Sequence, residues 1–104
     1  MRVFVTIFLL FAGALNAQDV TRWVSIINDK NFKMVEFYAS NREQTSWGPN
    51  WFGNAFLQAY SEVDLNLDDG SGYCIWDLRA VFADGREVTR MGVNVCEEPT
   101  WRVY

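Results

Sequence analysis

Cys74-Ile-Trp-Asp-Leu-Arg-Ala-Val-Phe-Ala-Asp-Gly85, continued through Arg86 to Gly92-Val-Asn-Val-Cys96, is the stretch on which the fold turns. Apolar alternation, an Asp-Gly turn and a cysteine at each outer end predict a β-hairpin closed by a Cys74–Cys96 disulfide. A two-residue turn at Asp84-Gly85 sets Ala83 opposite Arg86. Trp76, Leu78 and Ala80 then face Val93, Met91 and Thr89, and Arg79 falls opposite Arg90, a like-charge pair that needs acids nearby. In that register Cys74 faces Val95, so one extra residue is required to bring it to Cys96. Gly92 is the natural place for it, as a β-bulge. A three-residue turn would also supply the extra residue but would pair Leu78 with Gly92, so the bulge is the preferred reading.

Outward from the hairpin, the chain reads as further short strands. Trp23-Val-Ser-Ile-Ile-Asn28 and Phe32-Lys-Met-Val-Glu-Phe-Tyr38 flank the turn cluster Asn28-Asp-Lys-Asn31, which suggests an N-terminal hairpin. Trp23, Phe37, Trp76 and Phe82 are expected in the core. Residues 39–54 form the longest irregular stretch, since Gly48-Pro49 forbids regular pairing. Residues 55–60 read as one helical turn or a bent edge. In Ser61-Glu-Val-Asp-Leu-Asn-Leu67 strict alternation puts Val63, Leu65 and Leu67 on one face, a half-buried strand. Asp68-Asp-Gly-Ser-Gly72 is a turn, and residues 100–104 are a short aromatic tail. Five or six short strands with close turns and little helical period point to an all-β fold, a small antiparallel β-sandwich or open barrel.

Arg2 followed by the apolar run Val3–Ala14, with Ala17 before a cleavage point, has the layout of a signal peptide over residues 1–17. The run is shorter than the roughly 20 apolar residues a membrane helix needs, so no span is expected after cleavage. The remaining residues, 18–104, are one domain's worth of chain. A domain this small is marginal without reinforcement. An exported chain with two cysteines usually pairs them, and the loop they close here is worth about 3 kcal/mol. The spacing is not the C-x-x-C of a redox pair. Nine basic against 13 acidic residues give the chain a net charge of −4, which argues against nucleic acid and anionic membranes as partners.

Beyond these residues, the chain resembles a group of small exported bacterial β-domain proteins. The likeness lies in Phe37-Tyr-Ala-Ser40, in Trp47-Gly-Pro-Asn50 with Gly53 after it, in Cys74-Ile-Trp-Asp-Leu-Arg-Ala-Val-Phe-Ala-Asp-Gly85, and in Gly92-Val-Asn-Val-Cys96. It covers most of residues 22–96. It implies a disulfide-closed β-domain in the periplasm or outside the cell, and it carries over no catalytic residues. One departure is Trp51-Phe52, where the group usually has two aliphatic residues, so this loop is unusually aromatic.

Chemistry is sparse. The absence of histidine removes the commonest general base, the Ser-His and Cys-His pairs and histidine-based zinc or copper sites. No phosphate-binding, dinucleotide or nucleophile-elbow fingerprint is present. Asp64, Asp68, Asp69 and Asp77 leave carboxylate-pair hydrolysis formally open, but Asp68 and Asp69 suit a Gly-rich turn for backbone reasons. Asp64, Asn66, Asp68 and Asp69 offer oxygen donors for calcium without an EF-hand spacing. Asn41-Arg-Glu-Gln-Thr-Ser46 faintly resembles a βγ-crystallin calcium loop, with Arg42 where that motif wants Asn or Asp. Asp77 and Arg79 share one strand face, where pairing with a neighbouring strand is the plain account.

The aromatic loop remains. Trp47, Asn50, Trp51 and Phe52 form the candidate binding loop, since aromatics on a rigid β-scaffold stack on sugars or anchor protein partners. The same rings can instead fold back as a lid over an open sheet edge. The expected function is a non-enzymatic binding module for an unidentified protein or glycan, without cofactor, catalytic residue or metal ligand. A calcium- or glycan-dependent module is the alternative, and a small hydrolase comes third.

Overall fold

Two three-stranded sheets face one another across a shared apolar core in the computed structural model, which describes residues 20–104. The signal segment expected over residues 1–17 lies outside the described residues. The strands are β1 (Trp23–Asn28), β2 (Met34–Asn41), β3 (Glu62–Asn66), β4 (Ile75–Phe82), β5 (Glu87–Asn94) and β6 (Thr100–Val103). One sheet runs β3-β1-β6 and the other β2-β4-β5. Every adjacent pair is antiparallel except β1 and β6, which run parallel. The fold is thus the all-β sandwich the alternation pattern predicts, closed by the Cys74–Cys96 disulfide.

Period-two alternation builds the core from both sheets. Trp76, Leu78, Ala80 and Phe82 project inward from the central strand β4, and Val24 and Ile26 do so from β1. Phe37 of β2 lies 6.2 Å, centroid to centroid, from Trp101 of β6, an aromatic contact that joins the two sheets. The buried Trp76 ring donates its Nε1–H to the Tyr73 carbonyl at 3.0 Å, so its polar atom is satisfied.

The expected N-terminal hairpin does not form: β1 and β2 belong to different sheets, and residues 29–33 arch between them. Asn28 explains how so short a link can do this. Its buried side chain donates to the carbonyls of Phe32 (2.9 Å), Leu57 (3.3 Å) and Gln58 (3.1 Å), and accepts from the Lys30 N–H. These bonds replace the ladder a hairpin would have made. Trp23 is a second correction. It shares the parity of Ser25 and Ile27, points outward, and is 52% exposed rather than core.

The stapled hairpin forms, with its register one residue from expectation. Phe82 N–H donates to the Arg86 carbonyl and Gly85 N–H to the Phe82 carbonyl, which closes a three-residue loop over Ala83, Asp84 and Gly85. Gly85 takes the left-handed conformation (φ 90°) while Asp84 does not, the pattern of a type I turn with a glycine bulge. Leu78 therefore faces Arg90, Ala80 faces Val88 and Arg79 faces Thr89, so the Arg79–Arg90 juxtaposition disappears. The same shift turns Met91 outward, 64% exposed. The bulge itself falls where expected. The register slips by one between Trp76 and Leu78, and Gly92, at φ 67°, donates its N–H to Asp77 Oδ1 at 2.8 Å.

Beyond the bulge Cys74 remains level with Val95, whose N–H donates to the Cys74 carbonyl. A turn at Asn94, whose carbonyl accepts from Glu97 and Glu98, then brings Cys96 to a Cα separation of 5.4 Å from Cys74. The bridge is made by that turn, not by cross-strand register. The aromatic tail is also more ordered than expected: as β6 it pairs with β1 and buries Trp101 and Val103. Residues 55–60 adopt the bent-edge form, with Leu57 bridging Met34 of β2.

A disulfide is the mark of a non-reducing, extracytoplasmic environment. Among the described residues no helix is long and apolar enough to cross a membrane.

Candidate functional site

The loop between β2 and β3 divides into two parts with different surroundings. In the second part, Asn50 Oδ1 accepts from the backbone N–H groups of Phe37 and Phe52, both at 3.0 Å, and Asn50 Nδ2 donates to the Gly53 carbonyl at 3.2 Å. Trp51 N–H donates to the Phe37 carbonyl at 2.8 Å. Leu57 and Met34 exchange both backbone bonds at 2.9 Å. The loop thereby covers the outer edge of β2 at Met34 and Phe37, which a sheet edge otherwise leaves open to pairing. Trp51 and Phe52 pack against the core, with the Phe52 ring 6.0 Å from that of Phe37.

Trp47 is placed elsewhere. It is half-buried and does not belong to the apolar cluster that takes in Trp51 and Phe52. Its ring lies on the outer face of the β2-β4-β5 sheet, where the Arg79 guanidinium sits 6.0 Å from the Trp47 centroid and 5.0 Å from that of Tyr38. The structure thus brings Asn50, Trp51 and Phe52 together and leaves Trp47 apart.

Trp47 forms one wall of an open groove of about 270 Å³, and Met91 of β5 forms another. Ser40 of β2 and Asp77 of β4, opposite one another in the register, line it between these walls. Gln44, Thr45 and Ser46 complete its rim. Ser40 is only 6% exposed, and among the described residues its hydroxyl has no hydrogen-bond partner. Asp77 commits one carboxylate oxygen to the Gly92 N–H, and Gln44 commits its side-chain oxygen to the Asn41 N–H at 2.7 Å. Among the described residues neither the second Asp77 oxygen nor the Gln44 amide nitrogen is so engaged.

Charges beside the groove are balanced. Arg79 Nε donates to Glu87 Oε1 at 2.8 Å, which holds the Glu87 carboxyl below its ordinary pKa and raises that of the guanidinium. The Tyr38 hydroxyl donates to Glu36 Oε1 at 2.6 Å, and this bond, with partial desolvation and the Glu36 charge, raises the phenol above its usual value. Arg90, expected near Arg79, pairs instead with Glu98 at 2.9 Å.

The remaining acids are dispersed. Asp64 lies on the outer face of the β3-β1-β6 sheet, accepting from Ser25 Oγ at 2.5 Å, while Asp77 lies on the outer face of the opposite sheet. Asp68 and Asp69 accept the Gly70 and Ser71 N–H groups in successive tight turns. The Asp69 carboxyl is held below its ordinary pKa chiefly by hydrogen bonding to Ser71, with a further contribution from the Asn41 amide, which donates to Asp69 Oδ2 at 2.9 Å. Among the described residues no three His, Cys, Asp or Glu side chains converge as a metal-holding group.

Sequence reasoning found Trp47 but missed the groove, because Ser40, Asp77 and Met91 come from three different strands. The available signal was parity: Phe37 and Ala39 face the core, so Ser40 and its cross-strand partner Asp77 face outward. No family model, curated protein or solved structure matches the chain.

Proposed function

We propose that the protein is an exported, non-enzymatic binding module, acting in the periplasm or outside the cell, whose ligand occupies the groove beside Trp47. The observation that carries this reading is the Ser40 hydroxyl. A buried hydroxyl without a partner costs about 1–3 kcal/mol. Such a cost is tolerated at a groove whose occupant would supply the missing hydrogen bond. The disulfide and the signal-peptide layout of residues 1–17 support export, as does the resemblance to small exported bacterial β-domains. The dispersal of Asp64, Asp68, Asp69 and Asp77 over opposite faces and a turn supports binding over hydrolysis, which needs two carboxylates flanking one bond.

The test is a screen of small polar and aromatic fragments, followed by backbone amide shifts of the isotopically labelled, oxidised protein. The reading expects saturable shifts grouped at Ser40, residues 44–47, Asp77 and Met91. Hits grouped on the opposite sheet, or a groove that no fragment perturbs, contradict it.

A further inference from the structure

We infer that the groove takes a neutral saccharide ring, lying against Trp47 and hydrogen-bonded by Ser40 and Asp77; this assignment rests on the binding-module reading above. Three observations narrow the ligand class. The first is the wall: a half-buried indole and the exposed Met91 side chain offer apolar surface to a ligand that itself has an apolar face. The C–H face of a pyranose is such a surface.

The second is the pattern of donors and acceptors. Ser40, 6% exposed and unpartnered among the described residues, can both donate and accept. The Asp77 oxygen not used by Gly92 can only accept, and the Gln44 amide nitrogen can only donate. Thr45 and Ser46 add hydroxyls at the rim. A ligand matching this set carries groups that donate and accept at once, arranged around a compact frame, which describes vicinal hydroxyls. An acceptor-only anion would leave Asp77 opposed, and a donor-only cation would leave the Gln44 amide opposed.

The third is the charge balance. Asp77 is the charged side chain that lines the groove and it opposes an anion, while Arg79, 6.0 Å from the Trp47 ring centroid, lies beside the groove with its charge already paired to Glu87. An anion is therefore disfavoured, and with one carboxylate set among neutral hydroxyl and amide groups the lining suits a neutral hydroxylated ligand that donates to Asp77. At about 270 Å³ the groove falls just short of the roughly 300 Å³ at which drug-sized pockets begin. That is room for one ring whose outer edge stays in solvent, as a terminal sugar of a longer glycan would.

Glucose, galactose, mannose and N-acetylglucosamine, titrated to millimolar concentrations into the oxidised protein, are the neutral probes; glucuronate and glucosamine are the charged ones. At least one neutral sugar is expected to shift the Trp47 indole N–H and the Ser40 and Asp77 amides saturably. Trp47→Ala should weaken that binding roughly tenfold. Ser40→Ala should weaken it roughly fivefold without lowering the melting temperature. Tighter binding of a charged probe than of every neutral one overturns the inference, as do sugar-induced shifts confined to residues outside the groove. If no sugar perturbs the groove while polar fragments do, the saccharide assignment falls and the binding-module reading stands. If neither does, both fall.

Discussion

Residues 50–57 and residues 44–47 belong to one loop, yet they behave as different kinds of structure. The later segment is bound to β2 by main-chain bonds, including those of Trp51 to Phe37 and of Leu57 to Met34, and by the Asn50 side chain. It is a run of turns tied to the β2 edge at Phe37 and, through one isolated bridge, at Met34, and its rings extend the core. The earlier segment leaves that edge and crosses to the outer face of the sheet, where Trp47 meets Arg79 and the groove. Aromatic content alone does not distinguish the two. Backbone satisfaction does: Trp51, whose own N–H bonds the Phe37 carbonyl, is held at the sheet edge, whereas among the described residues the Trp47 main chain makes no such bond.

The largest expected effect comes from breaking the lid half. Phe52→Ala removes the ring packed against Phe37 and should cost about 2–3 kcal/mol in chemical denaturation. Asn50→Ala comes next. Two backbone N–H groups lose their acceptor, for a loss of about 1–2 kcal/mol, and hydrogen exchange of the Phe37 amide should accelerate. No acceleration there would mean that the edge is closed by something other than Asn50.

Acid should act on the root of the groove half. The Asp69 carboxyl, bonded to Ser71 and Asn41, is held below its ordinary pKa, so the folded state binds this proton less readily than the unfolded chain does. Its contribution is therefore fully present above the ordinary carboxylate value of about 4 and is lost as the pH falls through the lower folded value. In an NMR titration the Asn41 and Ser71 resonances should change together in that window, and Asp69→Asn should abolish the step. The smallest effect belongs to Ser40→Ala, which should leave stability unchanged or slightly raised, because it removes a buried hydroxyl that has no partner among the described residues. A clear loss of stability would show that the hydroxyl is already satisfied within the fold.

The strands themselves were largely legible, since β1, β3, β4 and β5 each carry alternation or turn chemistry of their own. Their assignment to sheets was not. A short polar link between two amphipathic strands looks the same whether the strands pair edge to edge or pack face to face. Here Asn28 decides it through bonds to residues about 30 positions away. The hairpin register turned on whether Asp84 as well as Gly85 takes a positive φ, a difference that the Asp-Gly dipeptide does not express. Trp23 could have been placed outward, for its parity matches Ser25 and not Val24 or Ile26. The candidate loop was visible as composition. The groove was not, because its residues converge only through the β2–β4 register, the bulge at Gly92 and the path of residues 44–47 over the sheet.

Unfolding free energies of Trp51→Ala and Trp47→Ala, measured side by side on the oxidised protein, test the division of the loop most directly. Trp51→Ala should lose about 3 kcal/mol, as expected of a large ring taken from a core. Trp47→Ala should stay within about 1 kcal/mol of the parent, as expected of a ring that packs on a surface cation. Equal losses for the two would contradict the account and return Trp47 to the lid.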